Sequence, residues 1–173
     1  MGCFAEGDEA RPDFRLLQNG AVSLFRRKDF FEEARASLRE LGYVEFLITY
    51  RDMASFKVAL SDALDWQGLF GYSPWSGNLD ALNDGLGDFP FGPTACASFC
   101  IEDFDKLAVD EAEFALIMLD LLETNARYHL LYGRRLAVLI QTSDSGFEAR
   151  GLGGRNAQWN AREWLWKDRG LPY

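Results

Sequence analysis

The chain has 173 residues, 48% of them hydrophobic, which is enough for one folded domain with a substantial core. Its formal net charge of −9 argues against nucleic acid as a direct ligand, because phosphate binding is driven by Lys and Arg releasing counterions. The apolar runs stay below about ten residues against the roughly 20 that cross a bilayer, and the N-terminus lacks a basic-then-apolar leader pattern. The expectation is a soluble, cytoplasmic protein with no membrane partner.

Residues 1–12, rich in Gly, Glu and Asp, read as a frayed end. Leu16-Leu17 and Val22 to Phe25 flank Asn19-Gly20, a pair suited to a two-residue turn with positive φ, which predicts a β-hairpin. Phe31, Ala34, Leu38 and Leu41 follow at helical spacing, with Gly42 as a C-terminal cap. Residues 1–42 therefore read as an N-terminal extension.

Phe46-Leu47-Ile48 has the character of a buried strand. A helical stripe of Phe56, Leu60, Ala63 and Leu64 comes next, capped by Asp52 or Ser55. A loop over 68–77 carries Phe70, Tyr72, Pro74 and Trp75 into a second helix starting near Asn78. A strand over 95–101 and a long helix bearing Phe114, Ile117, Met118, Leu121 and Leu122 follow, the helix ending at Gly133. Residues 136–140 form the clearest buried strand. Three apolar strands joined by crossovers longer than a dozen residues imply an α/β fold, a three-stranded parallel sheet covered by helices. The core covers 43–142, and 143–173 is a C-terminal extension within a single domain.

Three cysteines, Cys3, Cys96 and Cys100, are odd in number, and the last two are four apart in a strand, so reduced thiols are expected. His129 with those scattered cysteines does not supply the four convergent ligands of a structural metal site. Neither metal nor cofactor is expected. Near a helix end, His129 suits a cation favoured by the dipole. Gly151 to Gly154 lacks the strand and the Lys-Ser/Thr of a phosphate loop. The segment with Trp159, Trp164 and Trp166 could stack bases, but large aromatics more commonly pack on the body.

Charge is unevenly spread. Between Val58 and Asp105 there is no Lys or Arg, while Asp62, Asp65, Asp80, Asp84, Asp88, Glu102, Asp103 and Asp105 fall there. With Asn78 as N-cap, Leu79, Leu82 and Leu86 form an apolar face, and Asp80, Asn83, Asp84 and Gly87 the opposite one. Like charges one turn apart disfavour a helix, and Asn83, Gly85 and Gly87 are weak helix formers. Local stability does not select these residues. A solvated acidic face is the plain reading; Tyr72 and Trp75 immediately before it suggest an interface instead.

The run from Tyr72 through Pro74-Trp75, Asn78-Leu79-Asp80-Ala81-Leu82 and Asp84 to Leu86 resembles the signature of the barstar family, in which an aromatic loop leads into an acidic helix. The order of elements over 43–142 is similar too. The resemblance implies an intracellular, non-enzymatic inhibitor of a basic extracellular or toxin ribonuclease, binding one to one, with Asp80 and Asp84 in the nuclease's phosphate positions and Tyr72, Trp75, Asn78, Asn83 and Gly87 around them. Asn83 stands where the family has tryptophan, and the family's late carboxylate falls near Tyr128, which points to a nuclease other than barnase. A free monomer is expected. The alternatives are a protein-binding module with a non-nuclease regulatory partner, and an enzyme for a small cationic substrate, for which no nucleophile or base is evident. A glycosidase-like pair is disfavoured because adjacent turns set the two carboxylates side by side rather than across a sugar ring.

Overall fold

The computed structural model describes residues 4–171. Helix α1 (Pro12–Leu17) begins with proline in its first turn, where the missing N–H costs nothing. Strand β1 (Val22–Phe25) and helix α2 (Lys28–Glu40) follow, then β2 (Val44–Thr49), α3 (Met53–Ala63), α4 (Trp66–Phe70) and α5 (Leu79–Gly87). After β3 (Cys96–Glu102) come α6 (Phe104–Asp110) and the 20-residue α7 (Ala112–Leu131). The chain ends with β4 (Arg135–Gln141), the two-residue β5 (Gln158–Trp159) and a 3₁₀ turn, Trp166–Arg169.

The α/β class, the three core strands and helices α3, α5 and α7 agree with the sequence, whereas α4 takes residues 68–70 of the expected loop and α6 is an additional helix. The sheet, however, has five strands rather than three, all parallel, in the order β2-β3-β4-β1-β5. The hairpin does not form. Leu16 and Leu17 are helical, and Asn19-Gly20 turns the chain from α1 into β1, which runs parallel to β4 with Val22 opposite Val138. Gly20 has φ +131 and lies against Glu123, so the turn residue is glycine for both conformation and space. The supposed extensions at both ends thus complete the sheet, whose β1 is buried at all four positions.

Parallel crossovers are right-handed. The β1-to-β2 connection runs one way across the sheet, and those from β2 to β3 and β3 to β4 run the other. The first therefore lays α2 on one face, and the others lay α3 to α7 on the opposite face. The core follows from this: Phe31 and Leu38 of α2, Met118, Leu119 and Leu122 of α7, and every residue from Leu136 to Gln141 are buried. Strand β2 is an edge, which is why Leu47 is exposed and only Ile48 of its central apolar triplet is buried. Cys96 and Cys100 are buried in β3, Cys96 Sγ–H donating to Thr94 O (3.3 Å) and burial pushing the Cys100 thiol up to about 12; Cys3 and the first part of the expected frayed end lie outside the described residues. From Phe4 on the end is seated, with the Phe4 and Phe14 rings 5.3 Å apart.

Three buried carboxylates tie these elements together. Asp13 accepts from Arg11 Nε (3.0 Å) and Nη2 (2.9 Å), Tyr43 Oη (2.9 Å) and Arg135 Nη1 (3.1 Å). Burial pushes the Asp13 carboxyl up, but the hydrogen bonds from Arg11 and Tyr43 and the two arginine charges outweigh it and hold it below the ordinary carboxylate range. Glu123 Oε2 of α7 accepts from the backbone N–H groups of Ala21 (2.7 Å) and Val22 (3.1 Å) at the start of β1. At the other end, Glu163 accepts from Arg26 N (2.9 Å) and Arg27 N (3.0 Å), one on each oxygen, and from Asn160 Nδ2 (2.5 Å). Among the described residues no helix is long and apolar enough to cross a membrane, and no group of three or more His, Cys, Asp or Glu side chains is placed to hold a metal.

The two glutamates differ in a way that isosteric replacement exposes. Glu163→Gln must turn its amide NH₂ toward one of two N–H donors, whereas Glu123→Gln can keep its oxygen where Oε2 accepts both. Glu163→Gln should cost about 2–3 kcal/mol, in the range for an orphaned buried donor, and Glu123→Gln less than half of that, as read from urea denaturation midpoints.

Candidate functional site

The acidic helix α5 is built from below. Asn78 caps it, its Oδ1 accepting from Asp80 N (2.9 Å) and Ala81 N (3.1 Å). Trp75 does not project as an interface anchor: it is only 2% exposed. Its indole Nε1–H donates to Asn78 O (2.8 Å), and its backbone N–H donates to Ser61 Oγ (2.7 Å), itself a donor to Lys57 O (2.6 Å). The ring lies 5.5 Å from Phe114 and 6.4 Å from Trp66. The loop tryptophan thus fixes the cap residue's carbonyl and joins α3, α5 and α7.

Leu82 and Leu86 are fully buried and Leu79 partly so, while Asp80, Asn83 and Asp84 are exposed, as the helical spacing required. Gly85 and Gly87 have separate reasons. A Cβ at Gly85 would stand 2.9 Å from Trp66 Cζ3, so glycine lets α5 settle onto that ring; at Gly87 a Cβ would meet Asn125 Oδ1 at an ordinary 3.6 Å. Asn83 is tied sideways, its Oδ1 accepting from Asn125 Nδ2 (3.0 Å) of α7. Tyr72, the aromatic of the loop that does face outward, is 41% exposed.

The base-free stretch divides into two sets. Glu102 and Asp103 pair with Lys28, Asp103 also with Lys106, and Asp105 accepts from Ser143. Asp62, Asp65, Asp80, Asp84 and Asp88 are all exposed, and among the described residues none of their carboxylates has an ion-pair partner. Lys57, a cation beside the loop, donates to Ser76 O (3.3 Å) and lies 5.7 Å from the Trp75 ring centroid. Sequence reasoning passed over Tyr132 and the aromatic character of this surface at α7. Tyr128, 49% exposed, donates to Tyr132 Oη (3.3 Å), and that hydrogen bond, followed by the charges of Tyr132 and Asp88, raises its phenol. The i, i+4 spacing of the two tyrosines was the available signal.

His129 is not a dipole-stabilised cation. It is buried, and its Nε2–H donates to Leu86 O (2.8 Å), docking the end of α5 on α7. Burial lowers its pKa, Arg134 adds to the drop, and the Leu86 carbonyl and Asp88 oppose it. The Gly151–Gly154 turn is no phosphate cradle either, since Gly153 N–H donates to the Asp120 carboxylate (2.6 Å).

Two measurements test this scaffold. Because the folded His129 lies below its ordinary 6.5, the unfolded chain binds the extra proton. The stability contributed by neutral His129 is full above about pH 6.5 and is lost as pH falls through that value toward the folded pKa. Urea midpoints between about pH 7 and pH 5.5 should fall in the native protein and stay flatter in His129→Gln. Trp75→Ala should cost about 3–5 kcal/mol, as for a buried tryptophan, whereas Tyr72→Ala should leave the melting temperature nearly unchanged. In comparisons with known proteins, the chain matches no family model, no curated protein and no solved structure.

Proposed function

We propose that this protein inhibits a basic ribonuclease, binding one to one and filling its active cleft with the acidic face of α5, in the manner the barstar-like run implies. The observation that carries the reading is the set of five exposed carboxylates, Asp62, Asp65, Asp80, Asp84 and Asp88, with no ion-pair partner among the described residues. A cleft built of Arg and Lys to hold an RNA phosphodiester offers carboxylates the charge-assisted hydrogen bonds that phosphate oxygens would take.

Rigidity supports the reading as well. Asp80 and Asp84 stand on a helix capped by Asn78, seated on Trp66 and Trp75 and pinned at its end by His129. Little backbone freedom is then lost on binding. Tyr72, from the loop that leads into α5, and Tyr128, beside Asp88 at its far end, supply apolar contact. The surrounding negative field speeds encounter with a cationic partner and weakens as salt is added.

The test is titration of basic ribonucleases and ribonuclease toxins encoded in the same genome with the native protein and with Asp80→Asn, Asp84→Asn and the double variant. Native protein should abolish RNA cleavage at equal molarity. Each single variant should weaken inhibition at least about tenfold and the double variant about a hundredfold, with unchanged melting temperatures. Equal inhibition by all four would remove α5 as the inhibitory element. Binding of a basic protein that does not cleave RNA, with the same variant profile, would favour the regulatory-module alternative.

A further inference from the structure

A cavity of about 390 Å³ opens beside β5, away from the acidic helix, between residues 146–150 and the C-terminal turn. Trp159, Trp164, Trp166 and Phe147 line it, with Asn156 and Gln158 as neutral polar groups. Trp164 and Trp166 are 52% and 55% exposed, so two of the three tail tryptophans stand at the surface rather than packing on the body. The reason is local. Glu163 is drawn in to hold the end of β1, and the 3₁₀ turn that follows returns only Arg169 to the interior.

Arg169 is the unusual group. It is 6% exposed, it lines the cavity, and its guanidinium lies 4.6 Å from the Trp159 ring centroid. Among the described residues it makes no salt bridge, and its buried Nε has no hydrogen-bond partner. Burying a guanidinium Nε–H that donates to nothing is unfavourable, and an aromatic face offsets only part of that. The adjacent Arg150 is already paired with Glu148. One uncommitted cation therefore faces an aromatic chamber.

We propose that this cavity binds a small aromatic carboxylate, its carboxylate accepting from Arg169 and its ring lying among Trp159, Trp164 and Trp166. Glu148 and Arg150 also line the cavity but neutralise each other, so one uncompensated cation with the amides of Asn156 and Gln158 matches a monoanion, whereas a phosphate dianion calls for several donors. The volume is that of a small-molecule site with mostly apolar walls and a few placed polar groups. The inference is independent of the acidic helix and of any ribonuclease.

Phenylacetate, phenylacetamide, inorganic phosphate and adenosine monophosphate are the probes, added to the full chain and followed by the tryptophan indole N–H resonances and by calorimetry. Phenylacetate should bind and shift up to three indole signals, leaving those of the buried Trp66 and Trp75 in place, and the neutral amide should bind at least about tenfold more weakly. Arg169→Gln should abolish binding, and Arg169→Lys should weaken it, since an ammonium keeps the charge but not the planar fork. If Arg169 variants fail to fold, Trp166→Ala at an exposed position should still weaken phenylacetate binding while leaving the melting temperature unchanged. No binding at millimolar phenylacetate, equal binding of acid and amide, or tighter binding of adenosine monophosphate would overturn the assignment.

Discussion

Strand β1 is only four residues long, yet it lies inside an all-parallel sheet between β4 and β5, and both of its ends are gripped by buried carboxylates. A parallel strand gains its partners late, through long crossovers, and a short one offers few ladder bonds to hold its register. Glu123 supplies an acceptor to the N–H groups where β1 begins, and Glu163 to those where it ends. The first comes from α7 and the second from the tail, so one strand fastens the central helix, the sheet and the C-terminal segment to each other. The segments before residue 43 and after residue 142 are therefore structural parts of the domain.

The chain uses acids in two ways. Asp13, Glu123 and Glu163 are buried and each accepts at least two hydrogen bonds from other segments, Glu123 through Oε2 alone, which converts charge into connection between distant elements. The five acids of the base-free stretch that lack partners are exposed, and their charge is left for something else. Both uses have a stability consequence: the first set must be satisfied or the fold suffers, whereas the second adds little to folding and can be shaped by binding. This separation allows the outer face of α5 to carry function while Trp75, Asn78, Gly85 and His129 hold its inner face in one position.

The tail repeats the arrangement on a smaller scale. Glu163 anchors it, and the residues beyond the anchor leave two tryptophans at the surface and one guanidinium in the interior. Arg169 contrasts with Arg11, Arg35 and Arg135, each of which meets a carboxylate. Among the described residues Arg169 has no such partner, which is why the ligand proposed for the tail cavity is placed on it.

The helices and core strands were legible because their signals are local. Periodic leucines with Asn78 as cap located α5, Asp52 capped α3 by its bond to Ser55 N, and unbroken apolar runs marked β3 and β4. The outward direction of Asp80 and Asp84 followed from the same helical period. Strand pairing did not, since Val22 to Phe25 reads alike whether it turns back on Leu17 or crosses to β4, and only burial on both faces by α2 and α7 decides between them. Nor could the sequence tell an aromatic that faces outward from one that faces in: Tyr72 and Trp75 are three residues apart in one loop, and it is Ser61 and Phe114, distant in the chain, that draw Trp75 inside. Sequence determined the core strands, helices α2, α3, α5 and α7, and the acidic face because these depend on neighbouring residues. Tertiary structure alone decided the five-strand order, which carboxylates were buried or left unpaired, and the placement of Arg169, because each depends on groups brought together from far along the chain.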